Sequence, residues 1–528
     1  MAAAASQGAK TPRITVIGAG MGGLAAALRL AAAGCNVTLL ERHAHAGGKM
    51  RAVPTSAGPA DAGPTVLTLR SVFDDLFACA GARLDDHVTL TRQEIPARHF
   101  WPDGSRLDLW ADPERSRAAV RDFAGDVEAK AFDRFCAATR RLFEAFDAPM
   151  MQAADPSVLA LAGRVLAEPG LIPLMAPLSD LHRILSRRFR DPRLVQLFGR
   201  YATYVGGMPD RSPAVLSLIW QAEARGVWTV AGGMHQLAEA ILGLALAHGV
   251  TFRPGCHVAR IERTGARVTG VVLQDGTMLA ADAVVFNGDP RALAIGQLGP
   301  GLAPASTQTA TAPRSLSARV WSFSATASGL DLAHHNVFFT ADAQVEFDAL
   351  RAGKMPTDQT LYLCAQDRAQ PGAPPPRAQE RFEIIANAAP LTEGGPPHRE
   401  FQTCRMQTFE TLARFGLTLS PRPGEEALTT PTDFARMFPG SAGSLYGQSP
   451  HGAMASFRRP RARSGTPGLY LAGGGTHPGA GVPMAALSGK HAAAAIIADL
   501  GLTSKFLRTD TPGGMSTGSA PISAAPSR

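Results

Sequence analysis

The run Arg13-Ile-Thr-Val-Ile17, followed by Gly18-Ala-Gly-Met-Gly-Gly23 and then by alanine and leucine as far as Gly34, constrains this chain more than any other stretch. A β-branched run that enters G-x-G-x-x-G and leaves it in a helix former is the strand, turn and helix of a dinucleotide-binding unit. Asn36-Val-Thr-Leu-Leu40 reads as the second parallel strand, and Glu41 stands at its end, about 20 residues past the glycines as such a unit requires. Gly18 permits the tight turn, Gly20 lets the backbone approach a pyrophosphate, and Gly23 lets the helix lie close on the strand. The helix N-terminus offers free N–H groups to phosphate, and Glu41 is expected to accept hydrogen bonds from ribose hydroxyls. A glycine turn alone is a weak signal, because ordinary strand-to-helix links use one too; the strand, helix and acid in sequence make it specific. The acid disfavours NADP, so this unit by itself serves NAD or FAD.

Two further segments favour FAD. Glu41-Arg-His-Ala-His-Ala-Gly-Gly-Lys-Met50 places a glycine pair and a cation after the ribose acid, and Asp61-Ala-Gly-Pro-Thr65 adds a second turn-forming cluster before a helix that begins near Ser71. Far along the chain, the buried strand Gly468-Leu-Tyr-Leu-Ala472 runs into Gly473-Gly-Gly-Thr-His-Pro-Gly-Ala-Gly481 and a helix over about 482–500, with Pro483 suited to its first turn. A helix start lined with small residues can approach a flat ring, and its positive end favours the anion of a reduced flavin. Between these ends, His257 to Phe286 reads as a small β-meander, turning at Asp275-Gly276 and returning to a core strand. The expected cofactor contacts are Gly18, Gly20, Gly23, Glu41, Arg42, Gly48, Lys49, Gly63, Pro64, Thr65, Val258, Gly475, Thr476 and Met484. His477 is a weak catalytic candidate, with a loop histidine that only binds backbone as the competing reading. His43 and His45 read as solvated loop residues, and no metal site is expected.

At 528 residues the chain exceeds what one core usually supports. Its net charge of +8 suits anionic partners, but aromatic residues are only 6% and no basic stretch interleaves with them, so a membrane surface is favoured over nucleic acid. The six cysteines are scattered without a C-x-x-C pair, which argues against zinc, a redox dithiol or a disulfide framework. Residues 1–12 lack the apolar core of a signal peptide, so a cytoplasmic protein is expected. The most apolar stretch, 158–178, is interrupted by Arg164, Glu168, Pro169, Pro173 and Pro177, which suits lying on a bilayer rather than crossing it. Arg183, Arg187, Arg188, Arg190 and Arg193 follow it. An interfacial anchor and a helical cap over a substrate tunnel are both open readings, and they are compatible.

These motifs resemble those of the phytoene desaturase family of bacterial carotenoid dehydrogenases. Further matches are Phe189-Arg-Asp-Pro-Arg-Leu194 with Arg200-Tyr-Ala-Thr-Tyr204, and Gly232-Gly-Met234. Gly481-Val-Pro-Met-Ala-Ala-Leu-Ser-Gly489 looks most like the subgroup of desaturases acting on 1-hydroxy or 1-methoxyneurosporene. The resemblance implies an α/β fold: a discontinuous Rossmann-like FAD-binding domain (13–92, 216–288, 461–502), a mixed α+β substrate domain (93–215, 289–460) with a helical membrane-associated region, a flexible 1–12 and a disordered tail, 503–528. It also implies a hydrophobic carotenoid substrate, peripheral attachment to the inner or intracytoplasmic membrane, and a quinone or oxygen as electron acceptor. Hydride leaves one carbon for the flavin and a proton leaves its neighbour, with no general base to name. One position departs from the wider amine-oxidase-like pattern: Gly474 stands where relatives carry an acid for the ribityl chain. Phytoene desaturation, carotenoid isomerisation, end-group oxidation, amine oxidation and a flavin-free lipid escort stay as alternatives.

Overall fold

The computed structural model describes residues 11–368, 379–392, 401–452 and 454–502. The expectations for the first ten residues and for the tail 503–528 fall outside them.

Two sheets organise the molecule. The first has five strands, all parallel, in the order Leu469–Leu471, Ala283–Phe286, Arg13–Ile17, Asn36–Leu40, Thr251–Arg253. Its strands are apolar because both faces are covered, as a parallel sheet requires. Helix Met21–Ala32 lies against helix Val482–Asp499 and helix His235–Ala247, joining the two ends of the chain in one core with Leu24, Leu28, Leu237, Ile241 and Ile496. The antiparallel meander Val258–Thr264, Arg267–Leu273, Met278–Ala280 packs on the other side through Ile261, Val271 and Leu293.

The second sheet is larger and mixed. Its order is Thr418–Ser420, Ser317–Ser328, Glu380–Ala388, Leu361–Ala365, His335–Phe338, Ala97–Phe100, Arg106–Leu109, with Leu428–Thr429 pairing beside Ser317–Ser328. Every pairing is antiparallel except that of His335–Phe338 with Ala97–Phe100. One face buries Phe323, Phe338, Phe382 and Ile384 beneath helix Phe401–Arg414. A helical layer over 113–224 builds a separate aromatic core from Phe132, Phe135, Phe189, Phe198 and Trp220. Trp220 therefore packs with the substrate half, and the chain re-enters the dinucleotide half beyond it. Likewise Ala292, Leu293 and Leu302 pack with the meander, so that boundary lies past residue 289.

The proline-broken stretch forms helix Val158–Ala167 and, through Pro169, a second helical piece ending at Met175, bent by 104° to the first. No single helix among the described residues is long and apolar enough to cross a membrane. None of the residues of Val158–Ala167 is buried, and Leu159, Leu166 and Leu178 are 81%, 79% and 97% exposed.

Candidate active site

A cleft of roughly 690 Å³ opens where the parallel strands end. Ile17, Leu40, Phe286 and Gly473, each the last residue of a strand or just beyond one, line its floor, which is where open parallel sheets bind their ligands. Gly18 sits there with φ +95°, a conformation that other residues rarely adopt. A Cβ on Gly23 would lie 2.0 Å from the Gly18 carbonyl oxygen, so only glycine lets the helix begin this close to its strand. The N-termini of Met21–Ala32 and Val482–Asp499 both open on the cleft through Met21, Gly22, Gly481 and Val482, with no acidic residue in either first turn. Two uncompensated positive helix ends facing one cavity form a seat for an anion.

Among the expected contacts, Gly18, Gly20, Glu41, Arg42, Gly48, Lys49, Gly63, Pro64, Val258 and Gly475 line this cleft together. Gly23 acts beneath it, through the packing just described. Thr65, Thr476 and Met484 are not on its wall: Thr65 turns its hydroxyl to Tyr362 at 2.6 Å, Thr476 is wholly buried, and Met484 packs on the dinucleotide core. His477 is not there either. Its Nε2 donates to the Ala153 carbonyl at 2.9 Å and its ring stacks on His491, so it stitches backbone and has no access to a reacting carbon.

Glu41 is half-committed within the protein. Its carboxylate accepts from the backbone N–H of Ala19 at 2.8 Å and of His43 at 2.9 Å, which fixes the acid at the cleft rim with lone pairs to spare for hydroxyl donors. Lys49 is a buried cation of the site, beside Arg42 on the same lining. Its Nζ donates to the Leu445 carbonyl and lies 5.3 Å from the centre of the Phe438 ring, so it bridges the two walls. Burial pulls its pKa down to about 8, against the attraction of Asp289 and with the help of Arg314. At about 8 the amine is still mostly protonated at neutral pH, and an anion beside it would hold that charge more firmly.

Two residues outside the expected contacts act here: Arg459, which gave no signal along the chain, and Asn287, from the loop 286–290 at the carboxyl end of a core strand, where such sheets bind ligands. Asn287 donates its side-chain amide to the Gly18 carbonyl at 3.0 Å and so braces the glycine turn from the neighbouring strand. Arg459 is buried behind the C-terminal loop and donates to the carbonyls of Gly474 at 2.9 Å, Tyr446 and Gln448. Burial lowers its pKa to about 10. Gly474 thus contributes backbone that an arginine anchors. The opposite wall belongs to the mixed sheet and its connections: Val320, Ile385, Phe434, Phe438 and Tyr446. Small residues, two helix starts and a cation on one side, with an apolar wall on the other, fit a dinucleotide whose ring system lies between them.

Residues 21–497 match the model of the family described as flavin containing amine oxidoreductase. The chain is 57% identical over 494 residues to the hydroxyneurosporene desaturase of Cereibacter sphaeroides, spanning 94% of this chain and 99% of that one. It is 54% identical over 486 residues to the hydroxyneurosporene desaturase of Rhodobacter capsulatus, at 92% and 98%. Among solved structures, the cyclohexylamine oxidase of Brevibacterium oxydans superposes with a TM-score of 0.55 at 17% identity, covering 93% of this chain and 100% of that one, which is a likeness of fold.

Proposed function

The chain belongs to the flavin containing amine oxidoreductase family and, within it, to the carotenoid desaturases, and from this premise we propose that it binds FAD and desaturates an acyclic carotenoid of the hydroxyneurosporene type. The observation that carries the reading is the cleft's two unlike walls, one of glycines and helix starts, the other apolar. Bound flavin supplies a two-electron acceptor: hydride leaves one carbon of a CH2–CH2 unit, a proton leaves the next, and one conjugated double bond is gained.

The chain's own residues do the positioning. Gly18, Gly20 and the two helix starts would hold the diphosphate, Glu41 would accept from the ribose hydroxyls, and Lys49 would meet the negative charge at the boundary between the walls. Val320, Ile385, Phe434 and Phe438 would exclude water and offer an apolar surface to a polyene. A hydrocarbon offers no polar handle at the reacting bond, so orientation in a dry slot supplies much of the rate. Turnover would then need an oxidant for the bound flavin, a quinone or dioxygen.

The experiment is chromatography of products formed by FAD-loaded protein from phytoene, neurosporene and its 1-hydroxy and 1-methoxy derivatives. A product with a longer conjugated chain is expected from the oxygenated neurosporenes. A product of unchanged chain length that is isomerised or oxygenated assigns the isomerase or end-group oxidase reading instead, and a colourless protein assigns the escort reading.

We also propose that the protein works on a cytoplasmic membrane surface. The supporting feature is the bent pair around Pro169, with exposed Leu159, Leu166 and Ile172, followed along the chain by exposed Leu178 and then by exposed Arg183, Arg187 and Arg190. Apolar side chains sink into acyl chains while arginines meet anionic headgroups. Replacing Leu159 and Leu166 by Asp is expected to cut flotation with anionic phospholipid vesicles about tenfold or more. Undiminished flotation removes this docking surface.

A further inference from the structure

The face of the mixed sheet that gives Val320 and Ile385 to the cleft continues past it. Val320 lies opposite Ile385, Ile385 opposite Tyr362, Tyr362 opposite Val337, and Val337 opposite His99, so all five side chains share one face. Tyr362 links this row to the cofactor segment, its hydroxyl lying 2.6 Å from Thr65 Oγ1 and 2.7 Å from His335 Nδ1. The turn Arg200–Val205 covers the far end, where Tyr201 and Ala202 join the apolar cluster of Val337 and Phe339. Within that cluster stands a set of polar groups. The Arg200 guanidinium lies 4.9 Å from the centre of the Tyr204 ring, and Tyr201 donates to the Glu223 carboxylate.

Arg200, His99 and His335 are buried, and four of their polar atoms have no hydrogen-bond partner among the described residues: Arg200 Nε and Nη2, His99 Nε2 and His335 Nε2. Native proteins rarely leave such atoms unserved. Burial and the Arg200 charge push both imidazoles down, His99 to about 3, so both are neutral. The tautomer of His99 follows from its other nitrogen. Nδ1 lies 3.1 Å from the Leu107 carbonyl, which can only accept, so Nδ1 carries the proton and Nε2 is a bare acceptor. Arg200 can only donate. The same neighbourhood therefore offers donors and an acceptor at once, the complement of a hydroxyl group, which both accepts and donates.

We infer that Arg200 and His99 form the subsite for the terminal hydroxyl of the carotenoid, Arg200 donating to its oxygen and His99 Nε2 accepting its proton. The inference rests on the function proposed above and names how that site selects its substrate. A methoxyl satisfies Arg200 but has no proton for His99, and a bare hydrocarbon end satisfies neither. Burying it there would leave both groups unpaired, which is how a site built for hydrogen bonds rejects a substrate without them. A metal ion is the rival occupant, since ligand atoms of His334, His335 and Cys364 lie within 4.8 Å of one another. The Arg200 charge that depresses His335 would equally repel a cation.

The test measures kcat/KM of the full-length, FAD-loaded protein on 1-hydroxyneurosporene, 1-methoxyneurosporene and neurosporene, alongside its metal content. The unaltered protein is expected to prefer them in that order. Arg200→Met is expected to lower the ratio of hydroxylated to hydrocarbon kcat/KM by about tenfold to a hundredfold. His99→Phe keeps a ring against Phe339 and is expected to bring the hydroxyl and methoxyl values together. If Arg200→Met does not fold, Arg200→Gln carries the same expectation. Ratios unchanged in both variants, no preference in the unaltered protein, or one bound metal ion lost on His335→Ala overturns the inference while leaving the desaturase reading intact. No turnover of any of the three overturns both.

Discussion

The two sheets meet the same cleft in opposite ways. The parallel sheet offers its ends: strands stop, loops begin, and the ligand meets backbone N–H groups, glycines and helix starts. The mixed sheet offers a face: alternate side chains of several strands form a continuous surface running from Val320 to His99. A site made of strand ends depends on where the backbone is. A site made of a sheet face depends on what the side chains are, and it can be repainted without moving the backbone. The first arrangement suits a fixed cofactor, and the second suits a substrate that differs from one relative to the next.

If the difference is real, damage on the two sides separates. The largest effect belongs to Gly23→Val. Its Cβ would collide with the Gly18 carbonyl, the helix start must move, and bound flavin is expected to fall to about a tenth or less of the unaltered protein, read as flavin absorbance per chain. Retention of full flavin would show that the turn tolerates displacement. Next comes Ile385→Trp, which fills the apolar wall. Flavin content is expected to hold while kcat/KM falls about a hundredfold through misplacement of the polyene. Equal loss of flavin and turnover would mean that the two walls are not separable.

The smallest effect falls on Lys49, which touches both walls. Its folded pKa of about 8 lies below the usual lysine value, so between about pH 8 and 10.4 the folded chain holds fewer protons than the unfolded one. Stability of the flavin-free protein is therefore expected to rise with pH across that window, by the linkage sign. Flavin affinity is expected to move the other way, weakening about tenfold as the ammonium that meets the phosphates is lost. Lys49→Met should flatten both curves, as melting temperature and flavin titration against pH would read out. Parallel slopes would place Lys49 outside the anion's reach.

The same contrast explains what could be read along the chain. Gly18, Gly20, Glu41, Gly48 and Lys49 lie within one short stretch, and their spacing is the signal. Asn287 and Arg459 reach that site from distant parts of the chain, and nothing local to Asn-Gly-Asp-Pro or to Arg458-Arg-Pro460 announces which loop each will brace. Thr65 belongs to a legible cluster yet turns toward Tyr362, because a turn residue's direction is set by what packs beside it. His477 is a candidate by its place in the glycine loop, and its ring is claimed by the Ala153 carbonyl, the backbone-binding alternative. The prolines of 158–178 did foretell a break, since a ring without an N–H ends a helix wherever it falls past the first turn.

The sheet that carries the glycine turn ends, on one edge, in the strand Leu469–Leu471, and the helix that completes the anion seat begins at Val482. A ribosome adding about 5–20 residues per second needs tens of seconds between making the first half of the cofactor site and making the last. Until the end of that interval the strand Ala283–Phe286 has one flank uncovered, and the diphosphate seat has only the first of its two helix starts. Firm cofactor capture is thus expected only after residue 482 has been made, and a chain cut short before that helix is expected to hold its flavin weakly.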